Sequence, residues 1–264
     1  MSLEKSYYGI PAEELKQFLE AKYRQYNNPS FIECDPISVP HRFESDMDRE
    51  IAGFLAATIA WGRRDLILRS SRLLLEAMDN SPYEFIMNAG EEEIKRFSGF
   101  VHRTFNGQDC IYFLKSLKEI YSVYKSMEDI IVEGMKADGS LKGGIFFFRN
   151  VFLSLPHESR TDKHFANVMS GAAGKRLNMF LRWMVRKDNR GVDFGIWKRI
   201  SPAELYIPLD LHSGNTARRL GLLKRKFNDW KAVEELTETL REFDSDDPVK
   251  YDFALFGLGV NEKF

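Results

Sequence analysis

Two short segments carry residues able to do chemistry together. In Ser170-Gly171-Ala172-Ala173-Gly174-Lys175-Arg176-Leu177-Asn178-Met179-Phe180-Leu181, a lysine follows a turn of small residues and opens a helical pattern. The positive end of a helix dipole disfavours an ammonium there, and a lysine that can shed its proton is a potential nucleophile. Small residues in the turn let a polyanion approach, and free N–H groups at the helix start suit a phosphate. Thirty-five residues later, Ile207-Pro208-Leu209-Asp210-Leu211-His212-Ser213 sets a carboxylate behind an apolar lead and before another helix. Facing an amine in a partly apolar site, such a carboxylate can hold the amine's ionisation balance and stabilise a developing cation. Each residue also has a plainer reading, Lys175 as an exposed lysine after a helix-ending glycine and Asp210 as an N-cap.

The elements that must position these residues read as helices. Ile51, Phe54, Leu55, Thr58 and Ile59 fall at i, i+3, i+4, i+7 and i+8, which predicts one apolar helical face. Ser81-Pro82-Tyr83-Glu84 and Ser201-Pro202-Ala203-Glu204 each offer an N-cap hydroxyl, a first-turn proline and a glutamate at the third position. Asp247-Pro248 repeats the start signal before VKYDFALFGLG, where Gly257 and Gly259 are placed to stop the helix. Further helices are predicted over residues 11–27, 63–79, 108–125, 141–155, 174–187 and 231–243, and Thr161-Asp162 is expected to cap a short one through HFANVM. Leu177, Phe180, Leu181 and Met184 share one face of the 174–187 helix. No stretch alternates polar and apolar residues beside an Asn-Gly type of turn, so the fold class is all-α. Asp138-Gly139-Ser140 and Lys187-Asp188-Asn189-Arg190-Gly191 are the nearest things to breaks, short enough to be loops within one compact body of residues 1–264.

Composition narrows the class of molecule. With 264 residues, 44% of them hydrophobic and 13% aromatic, the chain can bury roughly three-quarters of what it exposes when unfolded. Cys34 and Cys110 lie far apart with no CxxC, so neither a disulfide scaffold nor a zinc or iron–sulfur cluster is encoded, and a reducing cytoplasm is the expected setting. The start MSLEKSYYGIPAEELKQF is charged, and no run approaches the roughly 18 apolar residues of a membrane span. The 38 Lys and Arg nearly balance 39 Asp and Glu, but residues 170–231 hold 14 of the former against 5 of the latter, and residues 232–264 hold 3 against 9. The near-zero sum thus conceals a basic block suited to a polyanion. A solvated helical face is the other reading of such a block. Asp244, Asp246 and Asp247 lack the glycine and terminal glutamate of a calcium loop and read as solvent-facing charges. HExxH, GxSxG and P-loop patterns are absent.

Taken together, GAAGKRLNMFLRWMV and PLDLHSGNTARRLGL resemble the paired signature of the helix-hairpin-helix DNA glycosylase superfamily. In that signature a glycine-rich hairpin with a catalytic lysine precedes an apolar-Asp-x-His segment and an arginine-rich helix. REIAGFLAATIAWGRRDLILRSSRLLLEAM is similar to the helix pair that opens the fold's central lobe, and DPVKYDFALFGLG to its closing helix. The usual Leu-Pro-Gly-x-Gly hairpin is replaced by Ser-Gly-Ala-Ala-Gly. The Lys-to-Asp interval is similar to that of the archaeal 8-oxoguanine branch, and the whole pattern most resembles an uncharacterised bacterial family within this fold.

The resemblance implies a two-lobed helical body, with a hairpin at about residues 165–187 beside a cleft and the aspartate segment at about 207–222. It implies Lys175 as nucleophile, Asp210 as the essential carboxylate and His212 at a phosphate, with Gly171, Gly174, Arg176, Arg218, Arg219, Arg63 and Arg64 against DNA. Trp61, Phe253 and Phe256 would sandwich a flipped base, although aromatic residues at helical spacing usually pack inward. The implied partner is double-stranded DNA, damaged or abasic, bound by a monomer away from any membrane, and the implied chemistry needs no cofactor or metal. A non-catalytic helix-hairpin-helix DNA-binding protein would keep the basic hairpin without using the Lys175 and Asp210 pair. A partner-binding protein would use the acidic carboxy-terminal region instead.

Overall fold

Capped amphipathic segments fold as helices along almost the whole chain. The structure, a computed structural model, describes Ser6, Tyr7 and residues 9–264. Residues 1–5 and 8, part of the charged start MSLEKSYYGIPAEELKQF read above, lie outside the described residues. In chain order the α-helices among them are α1 (Ala12–Tyr26), α2 (Ser30–Cys34), α3 (Asp46–Thr58), α4 (Arg64–Glu76), α5 (Pro82–Asn88), α6 (Glu91–Lys95), α7 (Gly107–Val123), α8 (Met127–Asp138), α9 (Leu141–Phe152), α10 (Lys175–Val185), α11 (Leu211–Arg219), α12 (Trp230–Arg241) and α13 (Asp252–Asn261). Among the described residues the fold is all-helical apart from β1 (Ser6–Tyr7) and β2 (Ile10–Pro11), a two-residue antiparallel pair. No helix among the described residues is long and apolar enough to cross a membrane. Cys34 and Cys110 are free thiols, exposed and buried respectively.

The chain divides into two compact units, one of residues 1–31 with 170–264 and one of residues 32–169. In the second unit α3 starts on Ser45, whose hydroxyl accepts from the Asp48 N–H, and buries Ile51, Phe54 and Leu55. Phe54 meets Phe113 of α7, Phe148 and Phe152 of α9, and Phe165, with ring centroids 5.3–6.0 Å apart. A cluster of this kind adds edge-to-face attraction to ordinary area burial. Glu50 is buried beside it, where its carboxylate accepts from the Tyr121 hydroxyl and from the Met127 N–H at 3.1 Å, so the charge lies at the first turn of α8.

The first unit packs α1 and α11 against α13, around Trp183, Phe180, Trp230, Tyr251 and Phe253. Three expectations fail here. Gly257 and Gly259 do not stop α13, which continues to Asn261. A Cβ at Gly257 would lie 2.2 Å from the Tyr26 ring of α1, so this glycine serves close helix packing. Pro202–Glu204 is a single 3₁₀ turn capped by Ser201 rather than an α-helix. Asp247 does not face solvent as a helix-end charge, because it grips the buried Arg186 guanidinium at 2.8 and 3.1 Å.

A fourth departure concerns the hairpin. Ser159–His164 is a 3₁₀ turn, and no helix runs through residues 165–174, so the helix expected through HFANVM does not form. Phe165 is instead drawn into the aromatic cluster of the second unit, 5.1 Å from Phe148 and 5.2 Å from Phe152. The His157 and Arg149 side chains both pair with Asp162, which holds the turn to α9. What remains of the helix, turn and helix is a glycine turn and the helix that follows it.

Candidate functional site

The turn before α10 depends on glycine. Gly171 and Gly174 have φ of +92° and +61°, a region that costs an L side chain roughly 1–2 kcal/mol. The turn is pinned at Gly171, whose carbonyl accepts from the Trp230 N–H at 2.9 Å, while Ala172 bridges to Asp229. Gly174 then stands as the cap of α10 and makes Lys175 its first residue. Its Nζ lies 3.6 Å from the Met179 Sδ one turn along, and the side chain is 30% exposed.

Asp210 caps α11, and its two oxygens have separate tasks. Oδ1 accepts from the Ser213 N–H at 2.9 Å and the Ser213 hydroxyl at 3.1 Å, and the Ser213 hydroxyl oxygen in turn accepts from the Asp210 N–H at 3.0 Å. Oδ2 faces Lys175 Nζ at 3.9 Å, with the carboxylate 21% exposed. The N-cap reading and the amine-facing reading of this residue therefore hold together. The cap fixes one oxygen and thereby aims the other. A half-buried amine and a fixed carboxylate, both reachable by solvent, can exchange a proton or hold a cation between them.

The face of α10 that carries Lys175 continues through Met179 and Arg182 to Arg186, at i, i+4, i+7 and i+11. Along it exposure falls from 30% at Lys175 to 3% at Arg182 and 1% at Arg186. Arg182 pairs with Asp252 at the start of α13 and with Asp193 at 3.3 Å. Its guanidinium also lies over the Phe253 ring, 4.3 Å from the centroid. Arg186 binds Asp193 at 3.0 Å, Asp188 at 2.8 Å, Asp247 and, at 2.8 Å, the Tyr23 hydroxyl. Burial pushes the Asp252 carboxyl up to about 6, with Arg182 opposing the shift and the charge of Asp210 adding to it. Two cations of the basic block are thus interior and answered by carboxylates, so they offer nothing to a polyanion.

The other predicted residues divide between the units. In the first, His212 is exposed and meets the edge of the half-buried Phe256 with centroids 6.5 Å apart. Arg218 is committed to its own loop, donating to the Arg225 carbonyl at 2.7 Å and to Asn228 at 2.5 Å. Arg219 and Lys224 are exposed. Arg176 is half-buried, and desolvation pulls its guanidinium down to about 10, still charged at neutral pH. Phe253 is fully buried between Arg182 and Phe31, so as a base-stacking surface it is corrected to core. In the second unit, Arg63 is exposed and held by Asp65 in a two-pronged pair, and Arg64 opens α4 on the exposed side. Trp61 there stacks on His164 at 5.8 Å and meets His102 edge-on at 5.2 Å.

Sequence reading did not single out Ser213, Asn228, Arg182 or Asp252, which hold the pair in place. Asn228 donates to the Asp210 carbonyl at 2.9 Å and ties the loop after α11 to the start of that helix. An aspartate inside the apolar run YDFALFGLG was the available sign of a buried ion pair. Among the described residues no group of His, Cys, Asp and Glu is arranged to hold a metal ion. No curated protein and no solved structure matches the chain. A family model described as "Protein of unknown function (DUF2400)" matches residues 35–261, which include Lys175, Asp210 and the helices that carry them, and the chain belongs to that family.

Proposed function

We propose that the chain is a DNA glycosylase with AP lyase activity that removes an oxidised base of the 8-oxoguanine type from duplex DNA. The observation that carries this reading is Lys175 Nζ at 3.9 Å from Asp210 Oδ2, on the starts of two helices. Exposed Lys198, Arg199, Arg219, Lys224 and Lys226 in the same unit supply charge for phosphates. The resemblance to helix-hairpin-helix glycosylases supplies the substrate class.

A base is turned out of the duplex, at a cost of a few kcal/mol. The unprotonated Lys175 amine adds to the anomeric carbon; the bond to the base breaks, and its electron pair leaves with the base, which takes up a proton. The nitrogen then loses a proton and the sugar ring opens at its C1′–O4′ bond, O4′ keeping the bond's electron pair and taking up a proton, giving a protonated Schiff base. Loss of a C2′ proton expels the 3′ phosphate by breaking C3′–O3′. Asp210 supplies a fixed negative charge where the sugar becomes positive, and the cap bonds on Oδ1 keep that charge from reorienting. Oδ2 also faces the nitrogen from which a proton must leave. The scheme uses no cofactor or metal.

Strand incision on duplexes with a single 8-oxoguanine or abasic site tests the reading. Wild-type protein should release the base and nick the strand, and Lys175→Gln should bind without nicking. Binding without base release across a broad lesion panel would instead identify a non-catalytic DNA-binding module.

A further inference from the structure

Phe227 is 73% exposed and Leu211 65% exposed, the two most exposed large apolar side chains among the described residues of the first unit. Both lie beside Asp210 along the chain or across a hydrogen bond. Leu211 follows it directly, and Phe227 precedes Asn228, whose amide donates to the Asp210 carbonyl. Leaving a phenylalanine in water forgoes roughly 1.5–3 kcal/mol of burial, and here the exposure is not that of a loose loop. On one side Lys224 N–H donates to Glu235 at 2.6 Å, and the Arg225 guanidinium holds Asp229 in a two-pronged pair, while its carbonyl accepts from Arg218. On the other, Asn228 also accepts from Arg218, Asp229 caps α12, and the Trp230 N–H donates to Gly171. The backbone is thus fixed on both sides of an aromatic ring that is largely exposed. Its neighbours Lys224 and Lys226 are exposed as well.

An exposed aromatic ring on a fixed backbone, next to solvent-facing lysines, matches an unpaired nucleobase with its phosphates, since every base offers a π-face and stacking tolerates any sequence. We infer that Phe227 is a stacking contact for an unpaired base of DNA, with Lys224 and Lys226 on the adjoining phosphates. The inference rests on the reading of this unit as a DNA site. It adds the recognition of locally unpaired DNA beside Asp210, where a fully stacked duplex offers the ring only an edge. Leu211, directly after Asp210, is a second exposed apolar side chain next to that carboxylate in the chain.

The test uses full-length protein and two DNA probes, a fully paired duplex and the same duplex with one bulged 2-aminopurine. Wild-type protein should bind the bulged probe more tightly and quench its 2-aminopurine fluorescence. Phe227→Ala should weaken binding to the bulged probe about tenfold and abolish quenching, with little change on the paired probe; Phe227→Trp should restore both. Lys224→Ala with Lys226→Ala should weaken both probes alike and flatten the salt dependence. Melting temperatures equal to wild type establish that the exposed substitutions leave the fold intact. Phe227→Ala with wild-type affinity and quenching on the bulged probe overturns the stacking contact, while incision by wild type would leave the proposed activity standing. Failure of wild-type protein to bind either probe at low salt overturns both.

Discussion

Asp210 does two things that substitution can separate. Oδ1 caps α11 and Oδ2 faces Lys175, so Asp210→Asn keeps an oxygen for the cap and deletes the charge, while Asp210→Ala deletes both. Asparagine is as good an N-cap as aspartate, and the ion pair is partly exposed, so Asp210→Asn should cost no more than about 1 kcal/mol of stability. Asp210→Ala should cost about 0.5–2 kcal/mol more. The effect on chemistry is set by charge. A sugar cation forming at the attacking nitrogen lies close to the 3.9 Å that separates Lys175 from Asp210, and at an effective dielectric constant near 20 that interaction is about 4 kcal/mol. Base release under single-turnover conditions should therefore fall about 10³-fold in both variants. The assay pairs urea unfolding with single-turnover excision. If excision by Asp210→Asn stays near wild type while Asp210→Ala loses activity in step with its stability, the residue is a cap alone and the electrostatic argument fails.

Two further predictions concern what holds the site. Arg182→Met leaves Asp252 buried without its cation and should cost about 3–5 kcal/mol in urea unfolding; a loss below about 1 kcal/mol would show that the pair does not hold α10 to α13. His157 faces acceptors at both ring nitrogens, the Leu155 carbonyl at 2.7 Å and Asp162 at 2.6 Å, so only the imidazolium satisfies both. Burial lowers its pKa and Arg149 adds to that, but the two acceptors outweigh them and the net shift is upward. A raised folded-state value means stability that is present below the unfolded value of about 6.5 and is lost as pH rises through the folded value. Wild type should lose that increment as pH rises above the unfolded value of about 6.5, and His157→Gln should not; parallel pH profiles of the unfolding midpoint would contradict this.

The helix starts were legible only in part, although a cap is written locally. Asp210 caps with its own side chain as read, and Ser45, Asn106, Ser140 and Asp229, which the reading did not single out, do the same, whereas Ser81 and Asp247, read as start signals, make no side-chain cap bond. The pairing of Lys175 with Asp210 came from likeness to a signature, since nothing in a 35-residue interval encodes a 3.9 Å approach. Tertiary partners were the illegible part. Arg182 and Arg186 read as surface charge because the carboxylates that bury them stand at 188, 193, 247 and 252. Gly257 read as a stop because Tyr26, the ring it admits, lies some 230 residues earlier in the chain. Residues 165–169 read as helix by local pattern, but Phe165 is worth more in the Phe148 and Phe152 cluster than in a short exposed helix. Helix α8 escaped notice although Ser126 and Gly139 mark its ends, because its apolar run is brief and bounded by charges.

Identifying the residue that becomes covalently attached to DNA tests the central claim most directly. Wild-type protein is incubated with an abasic duplex in the presence of borohydride, and the trapped complex is digested and sequenced by mass spectrometry. The account predicts a single reduced adduct on Lys175, lost in Lys175→Gln and retained, at slower formation, in Asp210→Asn. An adduct on another amine, or equal yield from wild type and Lys175→Gln, would contradict it.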